Sequence, residues 1–237
     1  VVVDAFDRGS FIKIVGNNRI EGYTTRNSGG VPGNFKNYFV IEFDKPFEYQ
    51  YTFADGKLSD ELYQQANHAG SVIGFRTEKG EKVHARVASS FISLEQAERN
   101  LKELENDDFD VLVEKGRTEW NKVLGAIQVE GGSLDQYRVF YSCLYRSVLF
   151  PRKFYEFDAA GNIVHYSPYN GNVLPGYMYT DTGFWDTFRC LFPLLNLVYP
   201  SRNKEIQEGL INTYKESGFF PEWASPGHRG GMVGNNS

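Results

Sequence analysis

Several features that identify common functional classes are scarce or missing in this chain of 237 residues. It has 25 lysines and arginines against 30 acidic residues and no basic run, which disfavours nucleic acid or an anionic membrane as a partner. No apolar stretch is long enough to span a bilayer, and no signal peptide is recognisable. Phosphate-binding loops, Cys/His zinc motifs and the G-x-S-x-G elbow are also missing.

Cysteine is equally rare. The only two, Cys143 and Cys190, both lie within apolar helical patterns. Buried free thiols are therefore predicted in preference to a disulfide.

Aromatic residues, by contrast, are abundant: 19 Phe, 15 Tyr and 3 Trp make up 16% of the chain. Flat rings fill large cores, and they also stack on sugar rings in carbohydrate-binding clefts. Composition alone does not decide between these uses.

The first ninety residues predict strands. Apolar and polar residues alternate over 39–43, 47–53 and 83–87, and clusters of glycine and asparagine separate these segments. The pattern indicates an antiparallel β-sandwich with one face of each sheet inward. Because only about six strands are recognisable, few for two closed sheets, we expect others upstream of Val1. Residues 1–92 are assigned to the C-terminal part of a sandwich domain.

Two S-x-x-Q capping boxes, at Ser93 and Ser133, mark helix starts. The first opens a polar helical linker over 93–132, broken at 106–108 and closing with a short strand at 127–130. The second opens a helix with an apolar stripe that we expect to be buried. That stripe consists of Tyr137, Phe140, Tyr141, Leu144, Tyr145, Val148 and Leu149.

The segment 183–200, G-F-W-D-T-F-R-C-L-F-P-L-L-N-L-V-Y-P, is apolar almost all the way round. It predicts one helix buried on more than one side, with Asp181 as its cap. The first turn nevertheless carries Trp185, Asp186 and Arg189. The Asp186 carboxylate is either paired with Arg189 or accepts hydrogen bonds from sugar hydroxyls beside Trp185.

The remaining segments predict a hairpin turning at 158–162, then a further helix capped by Ser201 and ended by Gly218. Helices joined by alternately short and long connections fit the start of a helical toroid. In the closing loop, Glu222 and Trp223 repeat the pairing of an acid with an indole. His228 and Arg229 are interpreted as a solvated turn there.

Several motifs, in order, resemble glycoside hydrolase family 92, the calcium-dependent α-mannosidases. They are S-F-I-S-L-E-Q-A-E-R-N-L, W-N-K-V-L-G-A-I-Q-V-E-G-G, L-Y-R-S-V-L-F-P-R, Y-T-D-T-G-F-W-D-T-F-R-C-L-F-P-L-L-N-L-V-Y-P-S-R and G-F-F-P-E-W-A-S-P-G-H-R-G-G-M-V-G. The resemblance is close from Ser90 to Ser237 and looser before it.

The resemblance implies a β-sandwich, a linker and an (α/α)6 barrel, of which 133–237 would be the start. It implies removal of terminal α-linked mannose, often α-1,2-linked in N-glycans, with inversion by an acid and a base about 6.5–9.5 Å apart. By motif, the Asp186 carboxylate would bind hydroxyls of the terminal mannose, with Trp185 and Arg189 beside it. Glu222 and Trp223 would lie near the same cleft. The acid, the base and most calcium ligands are expected downstream of Ser237, in the rest of the catalytic domain.

Both ends of the chain look internal, so we expect a piece of a longer protein, inactive alone. The family resemblance implies a periplasmic, cell-surface or secreted location. Two alternatives stay open: a non-catalytic carbohydrate-binding protein that keeps Asp186 and the indoles, and another sandwich-plus-toroid enzyme, either a glucosidase or a glycoside phosphorylase.

Overall fold

A computed structural model describes residues 1–104 and 108–228 and divides the chain into two compact units. The first consists of Val1–Ser28 and Gly33–Glu105, and the second of Gly29–Pro32 and Asn106–Ser237. The predicted break at Asn106 and Asp107, and the end of the closing motif from Arg229 onward, lie outside the described residues.

The first unit contains two antiparallel sheets, so the predicted sandwich is confirmed. The described residues of this unit form nine strands, where the sequence predicted about six. They are β1 (Val2–Asp4), β2 (Ser10–Val15), β3 (Arg19–Thr24), β4 (Asn37–Phe43), β5 (Tyr49–Ala54), β6 (Lys57–Ser59), β7 (Tyr63–Ala66), β8 (Ala69–Gly74) and β9 (Ala85–Ser90). The four-stranded sheet has the order β1-β8-β5-β6 and the five-stranded sheet β7-β2-β3-β4-β9.

The sandwich core consists of apolar side chains that point inward from both sheets. Ile12 and Ile14 of β2, Ile20 of β3, and Ala69 and Ile73 of β8 are all buried there. Phe39 and Ile41 pack against this core from β4, as their alternation predicted. Burial of this apolar surface is the main force that holds the two sheets together.

Strand β5 alternates as predicted, but its aromatic side chains point away from the core and not into it. Thr52 points inward and is fully buried, whereas Tyr49 is 51% exposed and Tyr51 39%. On the outer face the aromatic rings of Tyr49 and Phe53 lie over Gly74 and Gly70, their partners in β8. Glycine leaves room for a ring to cover the neighbouring strand, so these aromatics lie outside the sandwich core.

The predicted helix starts are confirmed. Helix α1 (Leu94–Leu101) is capped by Ser93, whose side chain accepts from the Gln96 amide, and Ser133 and Gln136 form a complete capping box at α3 (Leu134–Ser147). Between them α2 (Phe109–Leu124) is capped by Asp108. The strand predicted at 127–130 is wrong, because those residues form no strand.

Helix α3 is less buried than its pattern predicted. Within its stripe Leu144 is 4% exposed and Val148, just after the helix, is 3% exposed, but Tyr145 is 39% exposed. Cys143 and Cys190 are both free and both exposed, so the prediction of buried thiols is wrong. Cys143 lies on the outer side of α3, and Cys190 lies at a break in the next helical segment.

Short strands follow α3. They are β10 (Arg152–Lys153), β11 (Glu156–Phe157), β12 (Ile163–Tyr166), β13 (Val173–Pro175), β14 (Tyr179–Thr180) and β15 (Thr182–Gly183). The predicted hairpin joins β11 to β12, and the side chain of Asp158 accepts from the amides of Ala160 and Asn162 at its turn.

The helix predicted over 183–200 is interrupted. It consists of α4 (Phe184–Thr187) and α5 (Leu191–Val198), and only Leu195 of these residues is fully buried, whereas Leu197 is 82% exposed. Pro193 explains the break, since its ring would clash with the carbonyl four residues earlier, at Arg189. The prediction of a helix buried on several sides is therefore wrong for the described chain.

Helix α6 (Pro200–Ser217) ends at Gly218 in the left-handed conformation, as predicted, but it begins at Pro200 and not with a Ser201 cap. Its Ile206 packs with Leu195, Val148 and Tyr179 in the core of the second unit. A two-residue strand, β16 (Trp223–Ala224), follows in the segment that the sequence predicted as loop. No closed barrel is formed by the described residues, and none of their helices combines the length and apolarity needed to cross a bilayer.

Candidate functional site

The candidate site forms where β15 pairs with β16. Thr182 lies opposite Ala224, and Gly183 lies opposite Trp223. The amide of Asp181 donates to the Ala224 carbonyl at 2.6 Å, and the amide of Phe184 donates to the Glu222 carbonyl at 3.1 Å. This pairing brings together the two acid-plus-indole motifs, which are almost forty residues apart in the sequence.

Gly183 is the point at which both motifs meet. A methyl group on its α-carbon would overlap with the indole of Trp223 and lie 2.8 Å from Oδ2 of Asp186. The ring of Trp223 therefore lies against the Gly183 backbone, with the Asp186 carboxylate beside it. Glycine is needed here because of this close approach and not because of its backbone angles.

Helix α4 presents the Asp186 carboxylate to solvent. It is a single turn, and the Thr187 hydroxyl donates to the Gly183 carbonyl at 2.8 Å, which ties the turn to β15. Asp186 is exposed, and Trp185 is 41% exposed. Both side chains are therefore accessible to a ligand in the described chain.

Arg189 binds the indole of Trp185 and not the carboxylate of Asp186. Its guanidinium carbon lies 4.1 Å from the ring centroid of Trp185, and Nη1 donates to the Trp185 carbonyl at 3.2 Å. Among the described residues Asp186 has no ion pair, so the simple Asp186–Arg189 pair is wrong. The carboxylate stays available to accept hydrogen bonds.

Asp181 does not cap α4. Its backbone has a φ of +58°, which is unusual for a residue other than glycine, and its carboxylate pairs with Arg152. The cap position is Gly183, which has no side chain to contribute. Backbone strain of this kind often occurs at functional sites.

Two buried threonines that precede Gly183 in the chain were missed by sequence reasoning. Thr180 and Thr182 are 6% and 8% exposed, and neither hydroxyl has a hydrogen-bond partner in the described part of the chain. The phenol of Tyr179, the residue before Thr180, donates to Glu205 at 2.9 Å, and burial together with this hydrogen bond raises the pKa of Tyr179. The alternation of threonine and acid in T-D-T-G was the only signal available for them.

Two histidines of the first unit pair with aspartates. His68 and His84 bond to Asp4 and Asp44, each at 2.7 Å. The residues that the structure describes contain no group of three or more His, Cys, Asp or Glu side chains able to hold a metal ion. His228 is exposed, as predicted, and its ring also packs on Tyr169.

The fold is a two-sheet β domain followed by helices, and its β15–β16 ladder joins two motifs that each pair an acid with an indole. Two family models match the chain: the N-terminal domain of glycosyl hydrolase family 92 over residues 1–90, and the catalytic domain of the same family over residues 96–237. The chain belongs to glycosyl hydrolase family 92.

Solved structures agree with this assignment. The family GH92 inverting mannosidase BT2199 from Bacteroides thetaiotaomicron VPI-5482 is 50% identical with a TM-score of 0.96, over 99% of this chain and 32% of that one. The α-mannosidase BT3965 of Bacteroides thetaiotaomicron, in complex with mannoimidazole, is 26% identical with a TM-score of 0.82, over 94% of this chain and 30% of that one. No curated protein sequence matches. The chain thus spans about a third of the length of the first of these structures.

Proposed function

We propose that the protein of which this chain forms a part removes α-linked mannose from the non-reducing end of glycans, with inversion. The observation that carries the proposal is the pairing of Gly183 with Trp223, which places an indole and the Asp186 carboxylate side by side. Family membership and the similarity to an inverting mannosidase support the reaction class.

In this proposal the described residues bind substrate. The Asp186 carboxylate accepts hydrogen bonds from hydroxyls of the terminal mannose, and a charge-assisted bond is about twice as strong as a neutral one. The rings of Trp185 and Trp223 pack on the apolar face of the sugar, and Arg189 holds the first of them in place. Glu222, whose carbonyl bonds to Phe184, contributes a second carboxylate near the same cleft.

The general acid and general base are assigned to residues outside this chain, as are most calcium ligands. Within the described residues there is no group of three or more His, Cys, Asp or Glu side chains that could hold a calcium ion. We further propose that the glycans are α-1,2-linked and of the N-glycan type, and that the protein acts outside the cytoplasm.

The test is hydrolysis of α-1,2-mannobiose by the protein, followed by proton NMR. β-Mannose should appear first and then convert to the α anomer, because inversion changes the configuration. The α anomer appearing first would refute the inverting mechanism, and turnover that requires phosphate would indicate a phosphorylase. Binding without hydrolysis would indicate a carbohydrate-binding protein, and activity in the presence of a chelator would refute the calcium requirement alone.

A further inference from the structure

The strand that leads to the candidate site changes its pairing partner at Asp181. Before this residue β14 pairs with β10, and Thr180 lies opposite Arg152. After it β15 pairs with β16, and Thr182 lies opposite Ala224. Asp181 is therefore the residue between two ladders, and its backbone angles set the direction in which β15 leaves β14.

The backbone of Asp181 adopts an uncommon conformation. Its φ of +58° lies in the left-handed region, where the β-carbon of an L-residue crowds the following carbonyl oxygen. Aspartate tolerates this region better than most residues, but such a conformation persists only where the surrounding structure holds it. Two contacts of Asp181 provide this support, one through its side chain and one through its amide.

The side-chain contact is an ion pair with Arg152. Both Nε and Nη2 of Arg152 contact Oδ2 of Asp181, so the pair joins β10 to the residue just after β14. The Asp181 side chain is 17% exposed and that of Arg152 65%. Because one partner is open to solvent, the pair contributes little to the free energy of unfolding. Its effect is to fix where the Asp181 carboxylate lies.

The amide contact connects Asp181 to the candidate site. The Asp181 amide donates to the Ala224 carbonyl at 2.6 Å, and Ala224 follows Trp223 directly. The Trp223 ring in turn lies against the backbone of Gly183. Direct contacts and one peptide bond therefore join the Arg152 guanidinium to the residue that carries the indole.

We propose that Arg152 and Asp181 are positioning residues. Their ion pair holds the left-handed turn at Asp181, and this turn keeps β15 in register with β16 and the Trp223 indole against Gly183. The proposal rests on the proposed function for what Trp223 does with a sugar, but not for where Trp223 lies.

The test is Arg152→Gln in the complete protein, labelled with 5-fluorotryptophan. The fluorine resonance of Trp223 is the one that Trp223→Phe removes, and it reports the surroundings of the indole. Arg152→Gln should shift this resonance and weaken mannoimidazole binding roughly tenfold, which is the equivalent of one lost hydrogen bond to a charged group. The melting temperature should change little, since the ion pair is exposed on one side.

Arg138→Gln is the matched control. Arg138 forms an exposed ion pair with Asp135 on helix α3, and its side chain is 68% exposed, close to the value for Arg152. This variant should change neither the Trp223 resonance nor mannoimidazole binding. Equal shifts in the two arginine variants would overturn the inference.

A second variant tests the ion pair itself. Asp181→Asn keeps the size of the side chain and its tolerance of a positive φ but removes the charge. It should shift the Trp223 resonance in the same direction as Arg152→Gln. The double variant should shift it no further than the larger single change, because both changes remove one interaction. Arg152→Lys keeps the charge and should restore part of the binding.

A lower melting temperature for Arg152→Gln with an unchanged Trp223 resonance and unchanged binding would overturn the inference, because a merely structural role predicts that result. Additive shifts in the double variant would also overturn it, since the two side chains would then act independently. If Arg152→Gln does not fold, Asp181→Asn decides alone, and an unshifted resonance overturns the proposal. Shifted resonances without mannoimidazole binding by the unmutated protein would refute the proposed function and leave the inference standing.

Discussion

The indole of Trp223 lies against the α-carbon of Gly183, its partner across the two-residue ladder of β15 and β16. This contact joins the closing loop to the turn that carries Asp186. Because the ring occupies the space where a side chain would be, any other residue at position 183 has to displace it. The geometry of the candidate site therefore depends on the absence of a side chain at Gly183.

Gly183→Ala should disrupt the candidate site. The new methyl would overlap with the Trp223 ring and crowd Asp186 Oδ2, and overpacking of this kind costs about 1–3 kcal/mol. We expect a lower melting temperature together with weaker binding of mannoimidazole, measured by calorimetry. Gly116→Ala on helix α2 is the control, because its methyl would enter open space and alanine favours a helix. Equal behaviour of the two variants would contradict the contact.

The elements predicted correctly are those with local signals. Ser133 and Gln136 specify a helix start within four residues, and the alternation of Phe39, Ile41 and Phe43 specifies a strand and its inward face. The pairing of Gly183 with Trp223 has no such signal, since it joins two short strands that are far apart in the sequence. The five candidate site residues could be predicted from their residue types, but the residues that they contact in the fold could not.

Exposure was harder to predict than secondary structure. Tyr49 and Phe53 follow a correct period, yet they lie on the outer face, where their rings cover Gly74 and Gly70 of the neighbouring strand. Arg189 was expected near Asp186 by helical spacing, but its guanidinium instead stacks on the nearby Trp185 ring. Which partner a side chain contacts depends on the relative free energies of competing contacts, and sequence spacing alone does not give these.

Asp186→Asn should weaken binding of the sugar without unfolding the protein. The amide keeps the size of the side chain but loses the charge, and hydrogen bonds to charged groups contribute about 1.5–3 kcal/mol. We expect a clear loss of mannoimidazole affinity and of mannoside turnover at an unchanged melting temperature. Asp135→Asn, an exposed change on helix α3, is the control. Full turnover by the Asp186 variant would exclude a role in binding hydroxyls.

Trp120→Ala should lower stability and leave substrate preference unchanged. The indole packs on Tyr145 with ring centroids 4.5 Å apart, which joins α2 to α3. An aromatic pair of this kind contributes about 0.5–1.5 kcal/mol beyond the area it buries. Thermal unfolding should show the loss, and Phe109→Ala on the same helix, where the ring is 67% exposed, should show less. A fall in rate at a constant melting temperature would contradict a structural role for Trp120.

His228 should make stability depend on pH. The largely exposed His228 ring is partly covered by Tyr169, and this partial burial lowers its pKa below the usual value of about 6.5. The folded state therefore binds this proton less readily than the unfolded state. The part of the unfolding free energy that depends on His228 should therefore be fully present above about pH 6.5. It should fall as the pH drops through the folded-state pKa. Chemical unfolding at a series of pH values should show a slope that His228→Gln reduces. An NMR titration of His228 with its midpoint above that of an unfolded peptide would reverse the sign and contradict the prediction.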